Sequence, residues 1–118
     1  MPLWTTSVRL ACRVPESRFD DVVHPPTRLR ICGLLRPLEE MDFAVLRDTL
    51  GISDATLSKQ LKILAEAGYV RLAKTTSPAR RDARRITWVA LTPAGRKSFD
   101  AHVLALQEIA GTVSVRPE

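Results

Sequence analysis

Hydrophobic positions along this chain change their period once, and that change divides it into a helical half, a strand pair and a final helix. From Thr27 to Leu35 the apolar residues Ile31, Leu34, Leu35 and Leu38 recur at i, i+3, i+4 and i+7, which is one stripe of an α-helix. Pro25 and Pro26 stop any helix arriving from Glu16 to His24, where Phe19, Val22 and Val23 suggest a short one, and Pro37 ends the next. Asp42 is a candidate cap for a helix that buries Phe43, Leu46 and Leu50. Gly51 then stands where a tight turn needs positive φ. Ser53 is the candidate cap of a longer helix, running to about Ala67, with Leu57, Leu61 and Leu64 inward and Gly68 closing it.

Beyond Gly68 the period shortens. Tyr69 to Thr76 and Arg85 to Leu91 are rich in Val, Ile, Thr and Trp and read as two strands, joined across Ser77 to Arg84. Thr92 and Pro93 open a last helix, with Thr92 as cap and Pro93 in the first turn. Its expected stripe is Phe99, Val103, Leu106 and Ala110, with Ile109 beside it. Residues 1–15 show no period and read as a tail ahead of one domain, 16–118. The predicted fold is mainly α with a small β-hairpin, a winged helix-turn-helix.

Charge sharpens this outline. The chain of 118 residues carries a formal net charge of +5. All of that excess lies between Arg71 and Arg85, where Arg71, Lys74, Arg80, Arg81, Arg84 and Arg85 face the single acid Asp82. A basic segment on a neutral body suits phosphate binding, although a solvated Arg-rich loop would look the same from charge alone. Counting 100° per residue from Leu57 turns Ala55, Lys59 and Lys62 outward, with Thr56 and Ser58 on the flanks. Small residues permit close approach to a groove, while hydroxyls and Lys can meet bases or phosphates. An ordinary amphipathic helix with a solvated face is as good a reading of that helix alone; the basic hairpin that follows it favours DNA.

Several chemistries are excluded or weakened. Gly51-Ile52-Ser53-Asp54-Ala55 approaches the G-x-S-x-G elbow of serine hydrolases, but Ala55 replaces the second Gly and no strand precedes it. No pair of titratable groups is spaced for acid–base or nucleophilic work, so no catalytic residue and no cofactor is expected. Cys12, Cys32, His24 and His102 show no metal-ligand spacing; His102 reads as a surface or interface residue and Cys32 as packing in the first helix. Trp4, Tyr69 and Trp88 make no base-stacking platform by spacing, and Trp88 reads as packing or hinge surface. No apolar run approaches the ~20 residues of a membrane span, Arg9 and Arg13 interrupt the N-terminal stretch, and two cysteines form no framework, so a reducing cytoplasm is the expected setting.

GISDATLSKQLKILAEAGYVRLAK, the basic loop and VALTPAGRKSF together resemble the small winged-helix transcriptional regulators of the MarR/ArsR-like group, closest to its compact single-domain subgroup. HPPTRLRICGLL resembles that subgroup's first helix, so the resemblance runs from about Phe19 to Ala110. It implies DNA contacts from Ala55, Thr56, Ser58 and Lys59, and wing contacts from Arg80, Arg81 and Arg84. Thr56 and Gln60 stand where the subgroup often has Asn and His, which bears on the operator sequence and not on the fold.

The full set expected to bind double-stranded DNA adds Gln60, Lys62, Lys74 and Arg85. One winged helix covers few base pairs, so a homodimer is expected. The last helix offers Phe99, Val103, Leu104, Leu106 and Ile109, more apolar surface than a one-sided cover needs; the alternative is that all five belong to the monomer core. A small-molecule effector, unidentified, would sit between the terminal helices of that dimer. The competing function is a winged helix used as a protein–protein interaction module, against which the basic wing argues.

Overall fold

The computed structural model describes residues 17–76 and 85–111. Helix α1 spans Pro26–Leu35, strand β1 Met41–Asp42, α2 Phe43–Leu50, α3 Asp54–Glu66, β2 Val70–Thr76, β3 Arg85–Leu91 and α4 Pro93–Ala110. The described residues form a winged helix, with four helices and a small antiparallel sheet among them. The tail 1–15 and the wing arginines Arg80, Arg81 and Arg84 lie outside the described residues.

Local signals account for the helix boundaries. Asp42 accepts the Ala44 N–H at 2.8 Å and starts α2. Ser53 accepts the Thr56 N–H at 3.1 Å and starts α3. Thr92 accepts the Gly95 N–H at 2.9 Å and starts α4, with Pro93 in its first turn. Each cap satisfies a donor the helix itself leaves open. Between α2 and α3 the chain reverses at Gly51 with φ 70°, and the Gly51 N–H donates to the Arg47 carbonyl at 2.9 Å. Arg47 reinforces the corner, donating to Asp54 of α3 at 2.7 Å and to Asp48 at 3.0 Å. Both carboxylates hold the Arg47 pKa above its usual value, Asp54 contributing more.

The core is aliphatic. Ile31, Cys32 and Leu35 from α1, Leu46 from α2, Leu57, Leu61 and Leu64 from α3, and Val70, Val89 and Leu91 from the sheet are buried together. Each fully buried Leu or Ile contributes roughly 1.5–3 kcal/mol relative to exposure.

The sheet differs from a plain hairpin. β2 pairs with β3 from Val70↔Leu91 to Thr76↔Arg85, and β1 adds a third strand through Met41↔Val89 and Asp42↔Trp88. The strand order is β1-β3-β2. A two-residue strand carries no readable period, and here it runs straight into the α2 cap. Leu38, expected on the α1 stripe, lies beyond the helix end and is exposed.

Two further expectations are corrected. Residues 17–24 form a turn, not a helix: Asp20 Oδ1 accepts the N–H groups of Val22 and Val23, and the His24 N–H bonds the Asp20 carbonyl at 2.9 Å. This is a single capped turn, and Pro25 and Pro26 stop it before a second turn can form. On α4 the core-facing line is Gly95, Ala101, His102 and Ala105. The larger Phe99, Val103 and Leu106 are only half-buried, and Ala110 is exposed.

Candidate nucleic-acid interface

Helix α3 sorts its residues cleanly. Leu57, Leu61 and Leu64 point into the core, and Ala55, Thr56, Ser58, Lys59 and Lys62 are all exposed. The Ser53 hydroxyl that accepts the Thr56 N–H also donates to Thr56 Oγ1 at 2.9 Å, which fixes that side chain on the first turn. The N-terminal end of α3, with its partial positive charge, therefore lies on the same exposed face as two lysines.

Gln60 is set apart from this group. It is half-buried, and its Oε1 accepts from Arg28 Nη1 of α1 at 2.7 Å. Arg28 Nε also donates to the Val22 carbonyl at 2.6 Å, so one guanidinium links the 17–24 turn, α1 and α3. In this geometry the Gln60 side-chain carbonyl is engaged by α1.

The wing comes close to α3. Ser58 and Leu61 of α3 line a cleft of about 270 Å³ together with Leu72 and Lys74 of β2, Thr87 of β3 and Phe43 of α2. Lys74 is exposed, so a lysine of the wing and a hydroxyl of α3 border one opening. Arg85, also exposed, borders a second cleft, with Asp42, Ala44, Arg47 and Ile86, which shares Phe43 and Thr87 with the first. None of the three ion pairs among the described residues involves Lys59, Lys62, Lys74 or Arg85. Their charge is therefore available to an outside anion.

Helix α4 is held to α1 by polar contacts that no local pattern announces. Arg36 pairs with Asp100 through two bonds of 2.9 Å, which depress the Asp100 pKa. Arg96 donates to the carbonyls of Arg36 and Leu38, closing the end of α1. Ile109, at 71% exposed, is the most exposed large hydrophobic among the described residues. With half-buried Phe99, Val103 and Leu106 it forms an apolar flank on α4 among the described residues, and half-buried Leu104 lies to one side of it.

His102 corrects the sequence reading. It is fully buried, not at the surface, and burial lowers its pKa from the usual imidazole value, with His24 adding to the effect and Asp20 and Asp21 opposing it. Its Nε2 lies 3.2 Å from His24 Nδ1, although 78 residues separate the two. Tyr69 donates to Asp20 Oδ2 at 2.6 Å, a bond that raises the tyrosine pKa. Cys32 is buried as expected, and desolvation, with Asp20 nearby, pushes its thiol up to about 12, which makes it inert at neutral pH. No group of three or more His, Cys, Asp or Glu side chains among the described residues is arranged to hold a metal. Trp88 Nε1 donates to Thr75 Oγ1 at 3.1 Å, so this ring braces the hairpin.

Comparison with known proteins adds the family. Residues 27–110 match the family model described as "Winged helix DNA-binding domain". The chain is 28% identical over 95 residues to the uncharacterized protein MJ0432 of Methanocaldococcus jannaschii, covering 80% of this chain and 95% of that one. It shares its fold with a transcriptional regulator homologue from Pyrococcus horikoshii OT3, at a TM-score of 0.70 and 18% identity, over 93% of this chain and 99% of that one. A zinc-responsive MarR family member from Lactococcus lactis, ZitR, also shares it, at a TM-score of 0.57 and 18% identity, over 93% of this chain and 76% of that one. With its helix-turn-helix, its wing and a match over residues 27–110, this chain belongs to the winged helix DNA-binding domain family.

Proposed function

We propose that the protein is a sequence-specific transcriptional regulator that binds double-stranded DNA as a homodimer in the cytoplasm and has no catalytic site. The observation that carries this reading is the shared cleft: Ser58 of α3 and Lys74 of the wing border one opening, so a duplex lying against α3 also meets the wing. Ala55, Thr56 and Ser58 would read base edges, and Lys59, Lys62, Lys74 and Arg85 would contact phosphates. Arg80, Arg81 and Arg84 lie in the sequence between two paired strand ends, Thr76 and Arg85, and would extend the phosphate contacts.

The apolar flank of α4 supports the dimer. A second copy placed on it would present two recognition helices to half-sites about one helical turn, roughly 34–36 Å, apart. A small-molecule effector would act by seating between the terminal helices of that dimer.

Replacing Arg80 and Arg81 by Ala should weaken binding to all duplexes about equally and flatten the salt dependence, by roughly 0.9 in log K against log salt for each phosphate that is no longer neutralised. Changing Thr56 or Ser58 should instead shift the preferred sequence. Mobility shifts with random and selected duplexes across a salt series measure both. A double arginine variant that binds like its parent at every salt concentration would remove the wing from the interface. A parent that binds no duplex at low salt would favour a protein-binding module.

A further inference from the structure

We propose that His24 and His102 form a proton-operated latch, closed when both rings are neutral, that joins the 17–24 turn to α4 and sets the grip of α1 on α3. One donor in this chain cannot change. The backbone N–H of Asp20 donates to His102 Nδ1 at 2.9 Å, so that nitrogen is unprotonated and the neutral ring carries its proton on Nε2. His102 Nε2 then donates to His24 Nδ1 at 3.2 Å. The direction runs from Asp20 through His102 to His24.

No protonated form of the pair keeps both bonds. A proton on His24 Nδ1 would face the Nε2–H of His102, and a proton on His102 Nδ1 would face the N–H of Asp20. Water cannot easily reach His102, which is fully buried with Phe19 packed 4.7 Å from each ring, whereas the exposed His24 can turn to water when the bond breaks. Among the described residues no charged group provides a counter-ion in contact with the ring. Asp20 is committed to the Val22 and Val23 N–H groups and to Tyr69, while Arg18 and Arg28 act on the same local field. Asp21 acts on His102 only through space, and Cys32 of α1 stays a neutral thiol. On α4 itself, Asp100 is held by Arg36 and Glu108 accepts from Ser17.

The consequence reaches α3 through Arg28. Its Nε is held by the Val22 carbonyl inside the turn and its Nη1 holds Gln60. The Arg18 N–H still bonds the Ala101 carbonyl of α4 at 3.0 Å, so the proton frees only the His24 end of the turn, next to Val22, and the Val22 carbonyl that aims Arg28 at Gln60 loses its support there. The closed form binds fewer protons than the open one, hence acid opens the latch. If DNA binding requires the closed form, affinity falls by about tenfold per pH unit below the pair's midpoint. Only this DNA readout rests on the function proposed above.

The test follows the ring C–H signals of both histidines, the Arg28 Nε–H and the Gln60 side-chain amide by NMR from pH 8 to 5 at fixed ionic strength. Affinity for a mixed-sequence duplex is measured in parallel. His102→Asn keeps an acceptor near the Nδ1 position and cannot take up the proton. In the parent, the Arg28 and Gln60 signals should move with the ring titration and duplex affinity should fall; in His102→Asn both should be flat. Arg28 and Gln60 signals that stay fixed while the rings titrate, or a pH response unchanged in His102→Asn, would overturn the latch. Should His102→Asn fail to fold, His24→Asn carries the test: it removes the acceptor of the His102 Nε2–H, so the pH response of the Arg28 and Gln60 signals should change, and an unchanged one would overturn the proposal. Coupled signals in a protein that binds no duplex at any pH would support the latch and refute the DNA reading.

Discussion

Gly95→Ala should cost the fold about 3 kcal/mol, which for a domain of this size lowers the melting temperature by roughly 15 °C. A Cβ at Gly95 would stand 2.1 Å from the Tyr69 carbonyl oxygen, 2.9 Å from its carbon and 3.1 Å from Leu91 Cδ2. Two of those atoms are backbone and cannot swing aside. The same Tyr69 carbonyl accepts the Thr92 N–H at 3.0 Å, and Thr92 Oγ1 donates to the Gly68 carbonyl. Moving α4 away would therefore break its own cap and its tie to the end of α3. Gly33→Ala provides the contrast. Its Cβ would meet nothing closer than Phe99 Cζ at 3.8 Å, so a gain of about 0.5–1 kcal/mol is expected from the higher helix propensity. Thermal unfolding of the two variants checks both signs; a Gly95→Ala protein as stable as its parent would mean that α4 does not pack against Tyr69 this way.

Ile109→Glu should break the proposed homodimer while leaving the monomer fold intact. At 71% exposed, Ile109 contributes little to its own chain's core, so the substitution barely touches monomer stability. In an α4 interface the same change buries an unpaired carboxylate among Phe99, Val103 and Leu106 of each copy. Such a charge costs several kcal/mol, equivalent to a dimer dissociation constant raised on the order of a hundredfold to a thousandfold. Light scattering or sedimentation at micromolar concentration should give a single 13.1 kDa species for the variant and twice that for the parent. Affinity for a two-half-site duplex should fall with it. A variant that remains dimeric would move the interface off this flank of α4.

Features signalled within a few residues were legible in the sequence. Asp42, Ser53 and Thr92 each cap a helix by bonding an N–H two or three residues on, and Gly51 takes the positive φ of the corner between α2 and α3. The α3 stripe was legible because its inward residues are all large and aliphatic. The face of α4 was not, and for the opposite reason. Phe99, Val103, Leu106 and Ala110 form a proper helical stripe, yet α4 approaches its neighbours through the small residues Gly95, Ala101 and Ala105, which a reading weighted toward bulk passes over. The turn at 17–24 and the burial of His102 depend on each other: Asp20 supplies the hydrogen bond that makes an imidazole acceptable in the core, from 82 residues away. The same distance hides Arg28 and Arg36, whose partners Gln60 and Asp100 lie 32 and 64 residues on. Within the candidate interface, the exposed residues of α3 were placed by period alone, and the departure of Gln60 from that set follows from Arg28.

The proposed function requires α3 and the wing to engage one duplex at the same time. A titration of the isotope-labelled protein with a selected duplex, followed by NMR residue by residue, reads this directly. Signals of Ala55, Thr56, Ser58 and Lys59 should shift together with those of Lys74 and Arg85, at the same DNA ratio and with the same salt sensitivity. Shifts confined to α4, or to the wing with α3 silent, would contradict joint engagement.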